Sequence, residues 1–180
     1  MLFRSVRFQR IKAKLMGFVE DPAQTMRTYP PSDQSLPAHY ARAYAWHKSA
    51  YPDKALDEVK ALVTAQPHDP YFLELEGQVL LESGRPRDAI PPLREAVRLS
   101  ESQPLIATLL GHALIATEDE TNFPEAEHVL RAAVARDHDN PFAWYQLGVI
   151  YDRRGDTARD RKSTRLNSSH TDISRMPSSA

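Results

Sequence analysis

The sequence predicts an all-α chain in which a basic amphipathic helix precedes about three and a half antiparallel helical hairpins. Three observations carry that expectation. The dipeptides Asp69-Pro70, Gln103-Pro104 and Asn140-Pro141 recur at steps of 34 and 37 residues. A glycine stands seven residues after each of these prolines, at Gly77, Gly111 and Gly148. Ala55, Ala89 and Ala126 keep the same two steps. Small residues at a fixed place in each unit let two helices approach closely, because no side chain holds their backbones apart. The three additional residues of the third unit fall between Glu118 and Pro124, where they lengthen a loop and leave both helices whole.

The chain opens with Arg4, Arg7, Arg10, Lys12 and Lys14 and no acidic residue before Glu20, while Leu2, Phe3, Val6, Ile11, Leu15 and Phe18 recur at near-helical spacing. This is a basic amphipathic helix, which with the linker behind it takes residues 1–35. Three readings are open: a helix laying its apolar stripe on the repeats or on a preceding domain, an organellar transit peptide, or attachment to a membrane surface. A secretory signal is excluded by the lack of a continuous apolar run.

The repeats take residues 36–159, in units 36–69, 70–103, 104–140 and an incomplete 141–159. The first unit pairs 37–49 with 52–66, the second 70–83 with 86–99, and the third 104–117 with 124–136. The fourth holds only a first helix, 141–154. A proline at the first helical position costs nothing, since its absent N–H would be unpaired there, and Asp69 and Asn140 are N-caps one residue earlier. Pro91 and Pro92 lie past the first turn of their helix, so a kink or a late start is expected there.

The fourth unit reads Trp144-x-x-Leu147-Gly148-x-x-Tyr151, then Gly155, and this resembles the consensus of the tetratricopeptide repeat (TPR). The expected fold is therefore a TPR helical-hairpin solenoid. Trp144, Leu147 and Tyr151 form an i, i+3, i+7 stripe that fills the seam between helices. With Gly77, Ala89, Gly111, Ala126 and Gly148 they are packing residues, which identify the fold without acting in chemistry.

From residue 160 the helical period stops and serines accumulate. Asp160 to His170 can be back-translated into a string resembling a sequencing-library adapter, and Ser174 to Ala180 into the adapter's far end. Residues 160–180 thus read as a non-native disordered tail. The second helix of the fourth unit is then missing and the natural protein is expected to continue, leaving Trp144 and Tyr151 with an apolar side in solvent at a cost in stability.

Composition narrows the function. With 23 Lys+Arg against 24 Asp+Glu and a formal charge of −1, nothing attracts a nucleic-acid backbone, so nucleic acid is not an expected partner. No transmembrane segment is expected either, since no run reaches the roughly 18 to 20 apolar residues a bilayer span needs. The absence of cysteine removes disulfides, thiolate zinc sites and cysteine nucleophiles together. The seven histidines form neither HExxH nor an i, i+4 pair, and no GxSxG, Walker or GxGxxG pattern occurs. No catalytic residue, metal ligand or cofactor is assigned to this chain.

Binding is the expected work. The first helices of such arrays line a groove for proteins or peptides, and the positions expected to face it are Tyr40, Tyr44, Tyr71, Glu74, Gln78, Thr108, His112 and Tyr145. Tyrosine suits capture because it offers a large, stiff surface with a polar tip. The Lys and Asn clamp of chaperone-binding TPRs has no counterpart at these positions.

The segment Arg10 to Phe18, followed by Tyr29-Pro30 and by Pro37-Ala38-His39-Tyr40-Ala41-Arg42-Ala43, resembles the region after the peptidase domain in BepA-like periplasmic zinc metallopeptidases. The resemblance implies the TPR half of such an enzyme, acting in the periplasm in outer-membrane protein quality control and presenting substrates or the outer-membrane assembly machinery to a zinc-bearing domain upstream. The HExxH helix of that family has no match here, so no zinc or catalytic residue carries over. The alternative is a free-standing TPR adaptor with no enzymatic activity.

Overall fold

The computed structural model describes residues 22–101 and 103–156, and among these every regular element is helical. The expected basic N-terminal helix and the tail from residue 160 lie outside the described residues. The chain divides into two compact units, up to Gly84 and from Arg85 onward.

The first unit holds α1 (Pro22–Thr28), α2 (Leu36–Lys48), α3 (Pro52–Ala65) and α4 (Pro70–Glu82). Helix α1 stands where the sequence suggests only linker. Helix α2 packs on α1 and α3, and α3 packs on α4. The short connection of residues 49–51 makes α2 and α3 a hairpin. Its core is Ala43, Ala55, Val59, Leu62 and Phe72, each at most 1% exposed. Alanines on α2 bring the helices close, and the larger residues of α3 and α4 fill the space, each buried side chain contributing roughly 1.5–3 kcal/mol.

The second unit holds α5 (Pro86–Leu99), α6 (Pro104–Ala116), a 3-10 turn at Glu120–Asn122, α7 (Phe123–Arg136) and α8 (Pro141–Arg153). Helix α6 packs against α5, α7 and α8, and α7 also packs on α8. The longer third-unit loop contains the 3-10 turn, with the Asp119 carboxylate accepting from Thr121 N at 3.0 Å. Gly111 on α6 faces Leu130 on α7 so closely that a Cβ there would lie 2.5 Å from the leucine Cγ. The glycine sets the α6–α7 distance.

Helix starts follow the capping chemistry. Asp69 Oδ1 accepts from Tyr71 N at 2.9 Å and Phe72 N at 3.3 Å, and Asn140 Oδ1 accepts from Ala143 N at 2.9 Å. Helix ends use a device that recurs at the 34-residue step. Ser49, Ser83 and Thr117 donate side-chain hydroxyls to Ala45 O, Val79 O and Leu114 O at 2.7, 2.5 and 2.7 Å. The next residue in each case, Ala50, Gly84 or Glu118, takes a positive φ of 59, 72 or 58°. This left-handed step turns the chain into the following helix. Beside Ala50 the turn is closed by Lys54, whose ammonium lies 4.3 Å from the Trp46 ring and 4.9 Å from that of Tyr51.

Two expectations need correction. Helix α5 does not start late: it runs unbroken from Pro86 to Leu99 with Pro91 and Pro92 inside it. Only about one turn precedes these prolines, so the carbonyls they leave unpaired belong to Arg87 and Asp88, both exposed and free to bond water. Tyr151 does not show an apolar side to solvent. It is 5% exposed, and its hydroxyl lies 3.3 Å from both Arg131 Nε and Glu127 Oε1 on α7. Trp144 is half-buried, its indole N–H donating to His138 O at 2.9 Å.

Candidate functional site

In each unit the first helices of successive hairpins come together, α2 with α4 and α6 with α8. In the first unit Tyr40 stacks on Tyr44 with ring centroids 6.4 Å apart and meets Phe72 of α4 at the same separation. Tyr40 is 5% exposed, and burial together with the nearby Glu74 charge pushes its phenol well above the usual range. Tyr44 remains half-buried, with its ring edge-on to His47 at 6.2 Å and the Lys48 ammonium 5.5 Å from its centroid. His47 Nε2 lies 3.4 Å from Glu82 Oε2, and Gln78 donates to Glu82 Oε1 at 3.1 Å. Burial holds the His47 imidazole below its ordinary pKa, although Glu82 pulls the other way. This face mixes tyrosine with charge.

Behind it sits a polar cluster that the sequence reading did not single out. Arg42, 1% exposed, donates from Nε and Nη2 to the two oxygens of Glu58 at 2.7 and 2.9 Å. Its Nη1 donates to Pro30 O at 3.0 Å and Asp33 O at 2.8 Å. His39 Nδ1 lies 2.6 Å from Glu58 Oε2 and donates to it, since a carboxylate can only accept. Burial alone would raise Glu58, but hydrogen bonds from Arg42 and His39 outweigh it and hold the carboxyl below its usual range. The cluster ties the chain before α2 to the α2–α3 hairpin. Its signal in the sequence is a lone arginine inside the alanine-rich stretch from Ala38 to Ala45.

In the second unit Thr108 of α6 accepts from Asn140 Nδ2 at 3.2 Å and donates to Pro104 O at 2.7 Å, which uses its hydroxyl internally. His112 meets the Phe142 ring of α8 edge-on at 5.3 Å, and burial holds its imidazole below the ordinary value. Leu105, Phe142 and Tyr145 are 59, 42 and 55% exposed. Of the expected groove residues, Tyr44, Tyr71, Gln78, His112 and Tyr145 reach solvent. Tyr40, Glu74 and Thr108 lie beneath the surface, at 5, 7 and 2% exposure. Leu105 and Phe142 were not anticipated. Each directly follows the proline that starts its helix, a pairing that marks the solvent-facing edge of the first turn. Of the expected packing residues, Ala89, Gly111, Ala126, Leu147 and Gly148 are buried, as is Gly77.

Among the described residues no group of three or more His, Cys, Asp or Glu is placed to hold a metal ion, and no helix is long and apolar enough to cross a membrane.

The tetratricopeptide repeat family model matches residues 51–104 and 108–163, more than half of the sequence. The chain belongs to the tetratricopeptide repeat family. A TPR chain is a protein-interaction module, and its partner class is protein or peptide. Solved TPR structures share the fold. A double mutant of MamA RS-1 aligns with a TM-score of 0.73 at 17% identity, over 94% of this chain and 92% of that one. MamA from Desulfovibrio magneticus RS-1, from residue 41 to its end, gives 0.68 at 16% identity over 98 and 92%. YrrB, a TPR protein with an unusual peptide-binding site, gives 0.68 at 19% identity over 96 and 82%. Identities this low establish the fold alone. No curated protein matches the sequence.

Proposed function

We propose that this TPR chain is an adaptor that captures peptide segments of partner proteins on the solvent-facing sides of its first helices. The observation that carries the reading is the contrast between helix types. Tyr44, Tyr71, Phe142 and Tyr145 reach solvent on first helices, whereas the exposed residues of α5 include Arg87, Asp88, Arg94 and Arg98. Exposed aromatic side chains on a well-packed helix offer contact area at low entropic cost, the usual chemistry of a binding surface. The test is selection of a random 12-residue peptide library against the full chain, followed by titration of synthetic binders. Saturable binding in the micromolar range or tighter is expected; a folded chain that saturates with no peptide would refute the adaptor reading.

A wider proposal places the module in the periplasm as the TPR half of a BepA-like zinc metallopeptidase, with the outer-membrane assembly machinery among its partners and zinc held by the parent's peptidase domain. Its support is the resemblance over Arg10–Phe18, Tyr29-Pro30 and Pro37–Ala43. The structure supplies a simpler role for part of that segment: His39 and Arg42 both bond Glu58, and Arg42 also bonds the Pro30 carbonyl, so these residues serve the fold. Reading the genomic DNA upstream of the Met1 codon decides between the two. An in-frame HExxH run favours the peptidase parent, and an in-frame stop followed by a start site removes it.

A further inference from the structure

We infer that the α6–α8 face of the second unit takes an uncharged, apolar peptide segment; this rests on the peptide-binding reading above and names the chemistry of the ligand. On α6 the non-buried positions after Pro104 are Leu105, Leu109, His112 and Ala116, an i, i+4, i+7, i+11 stripe along one side. Helix α6 contains no Asp, Glu, Lys or Arg at all. On α8 the stripe continues with Phe142, Tyr145 and Val149, and the first charge is Asp152 in the last turn. The two stripes adjoin, because His112 touches the Phe142 ring and Thr108 bonds Asn140.

A helix side open to solvent normally carries charge, and the other helices of this unit obey that rule. The exposed residues of α5 include Arg94 and Arg98, and those of α7 include Arg131 and Arg136. Among the described residues of this unit, an uncharged stripe on two neighbouring helices is a departure confined to this face. His112 does not supply the missing charge at neutral pH, since burial against Phe142 favours the neutral ring. A charged ligand side chain set here would lose hydration and find no counter-ion. An apolar one would release water from leucine, phenylalanine and tyrosine surface instead. The first unit differs: its face carries Lys48 and Glu82, so the chain does not offer one uniform surface chemistry.

The experiment uses the peptides selected by the full chain, labelled with fluorescein and titrated by anisotropy. The expected binders carry leucine, isoleucine, valine or aromatic residues without charge at their anchor positions, and their affinity is unchanged when salt rises from roughly 0.05 to 0.5 M. Phe142→Ala and Leu105→Lys each weaken binding by about tenfold or more, while Arg87→Ala, exposed on α5, leaves it unchanged. Circular dichroism verifies that the variants fold, which their exposed positions permit. Selected peptides with charged anchors and salt-sensitive binding overturn this inference while leaving the adaptor reading intact. Apolar binders indifferent to both second-unit variants also overturn it, as does a dimer of the free chain that Phe142→Ala dissociates, since the occupant of the face would then be a second copy. No binders from the library would refute the adaptor reading itself.

Discussion

Replacing Gly111 with alanine sets two effects of opposite sign against each other, and the structure decides between them. In a helix interior alanine is favoured over glycine by about 1 kcal/mol, so propensity alone predicts stabilisation. The new Cβ, however, would stand 2.5, 2.6 and 3.0 Å from Cγ, Cδ2 and Cδ1 of Leu130. Carbon atoms pack best at roughly 3.5–4.0 Å, so the overlap is about 1 Å against three atoms of one side chain. Leu130 is fully buried, and its Cγ cannot swing aside as a flexible tip would. Overpacking of this kind costs about 1–3 kcal/mol, and here the upper end applies. After the propensity gain the net loss is about 2 kcal/mol, which lowers a urea midpoint by about 1 M for a chain of this size. Leu130→Ala alone loses about 2–5 kcal/mol by leaving a cavity. In the double variant the alanine methyl partly fills that cavity and no longer clashes, so the two losses add to less than their sum by at least about 1 kcal/mol. Urea titrations of the full chain, followed at 222 nm, complete the cycle. If Gly111→Ala raises the midpoint, α6 and α7 do not approach as described and the account of the repeat glycines fails.

Arg42→Met removes both bonds to Glu58 and those to Pro30 O and Asp33 O, with an expected loss of about 2 kcal/mol, below the fully buried case because Glu58 keeps some solvent. Since the folded-state pKa of Glu58 is depressed, the cluster's contribution is fully present above the ordinary glutamate value and fades as pH falls through the lowered one; denaturation midpoints of Arg42→Met should show a shallower acid loss there. His47 and His112 are both held below the ordinary histidine value by burial, so the unfolded chain binds more protons near that value and stability falls as pH drops through it. A double His47→Gln, His112→Gln variant should flatten that part of the profile, and an unaltered slope would show that neither ring is buried as described. Asn140→Ala deletes the cap on Ala143 N and the bond to Thr108, for a loss of about 1–2 kcal/mol in thermal or urea unfolding. Asn140→Asp keeps the cap acceptor but not the amide donor, so it should recover only part of that loss.

Much of the fold was legible because its signals are local. The helices expected from proline, cap and glycine positions agree with those observed to within about a residue, as boundaries set by capping chemistry allow. The misses share a different origin. Of the kink or late start expected for α5, the late start does not occur, because the carbonyls freed by Pro91 and Pro92 belong to exposed residues that water can reach. The exposure expected for Tyr151 ignored α7, whose Arg131 and Glu127 meet the hydroxyl. The Ser49, Ser83 and Thr117 caps repeat at 34 residues and could have been read, but a hydroxyl gives no periodic apolar signal.

By itself the sequence determined the repeat, the helix limits and the absence of any catalytic motif, because each follows from residues near one another along the chain. Tertiary structure decided which tyrosines reach solvent, that Arg42 is buried on Glu58 and backbone carbonyls, and that Leu105 and Phe142 are exposed on the uncharged α6–α8 face. The reason is geometric. A helical period says that residues share a side, whereas the packing of neighbouring helices decides whether that side is covered.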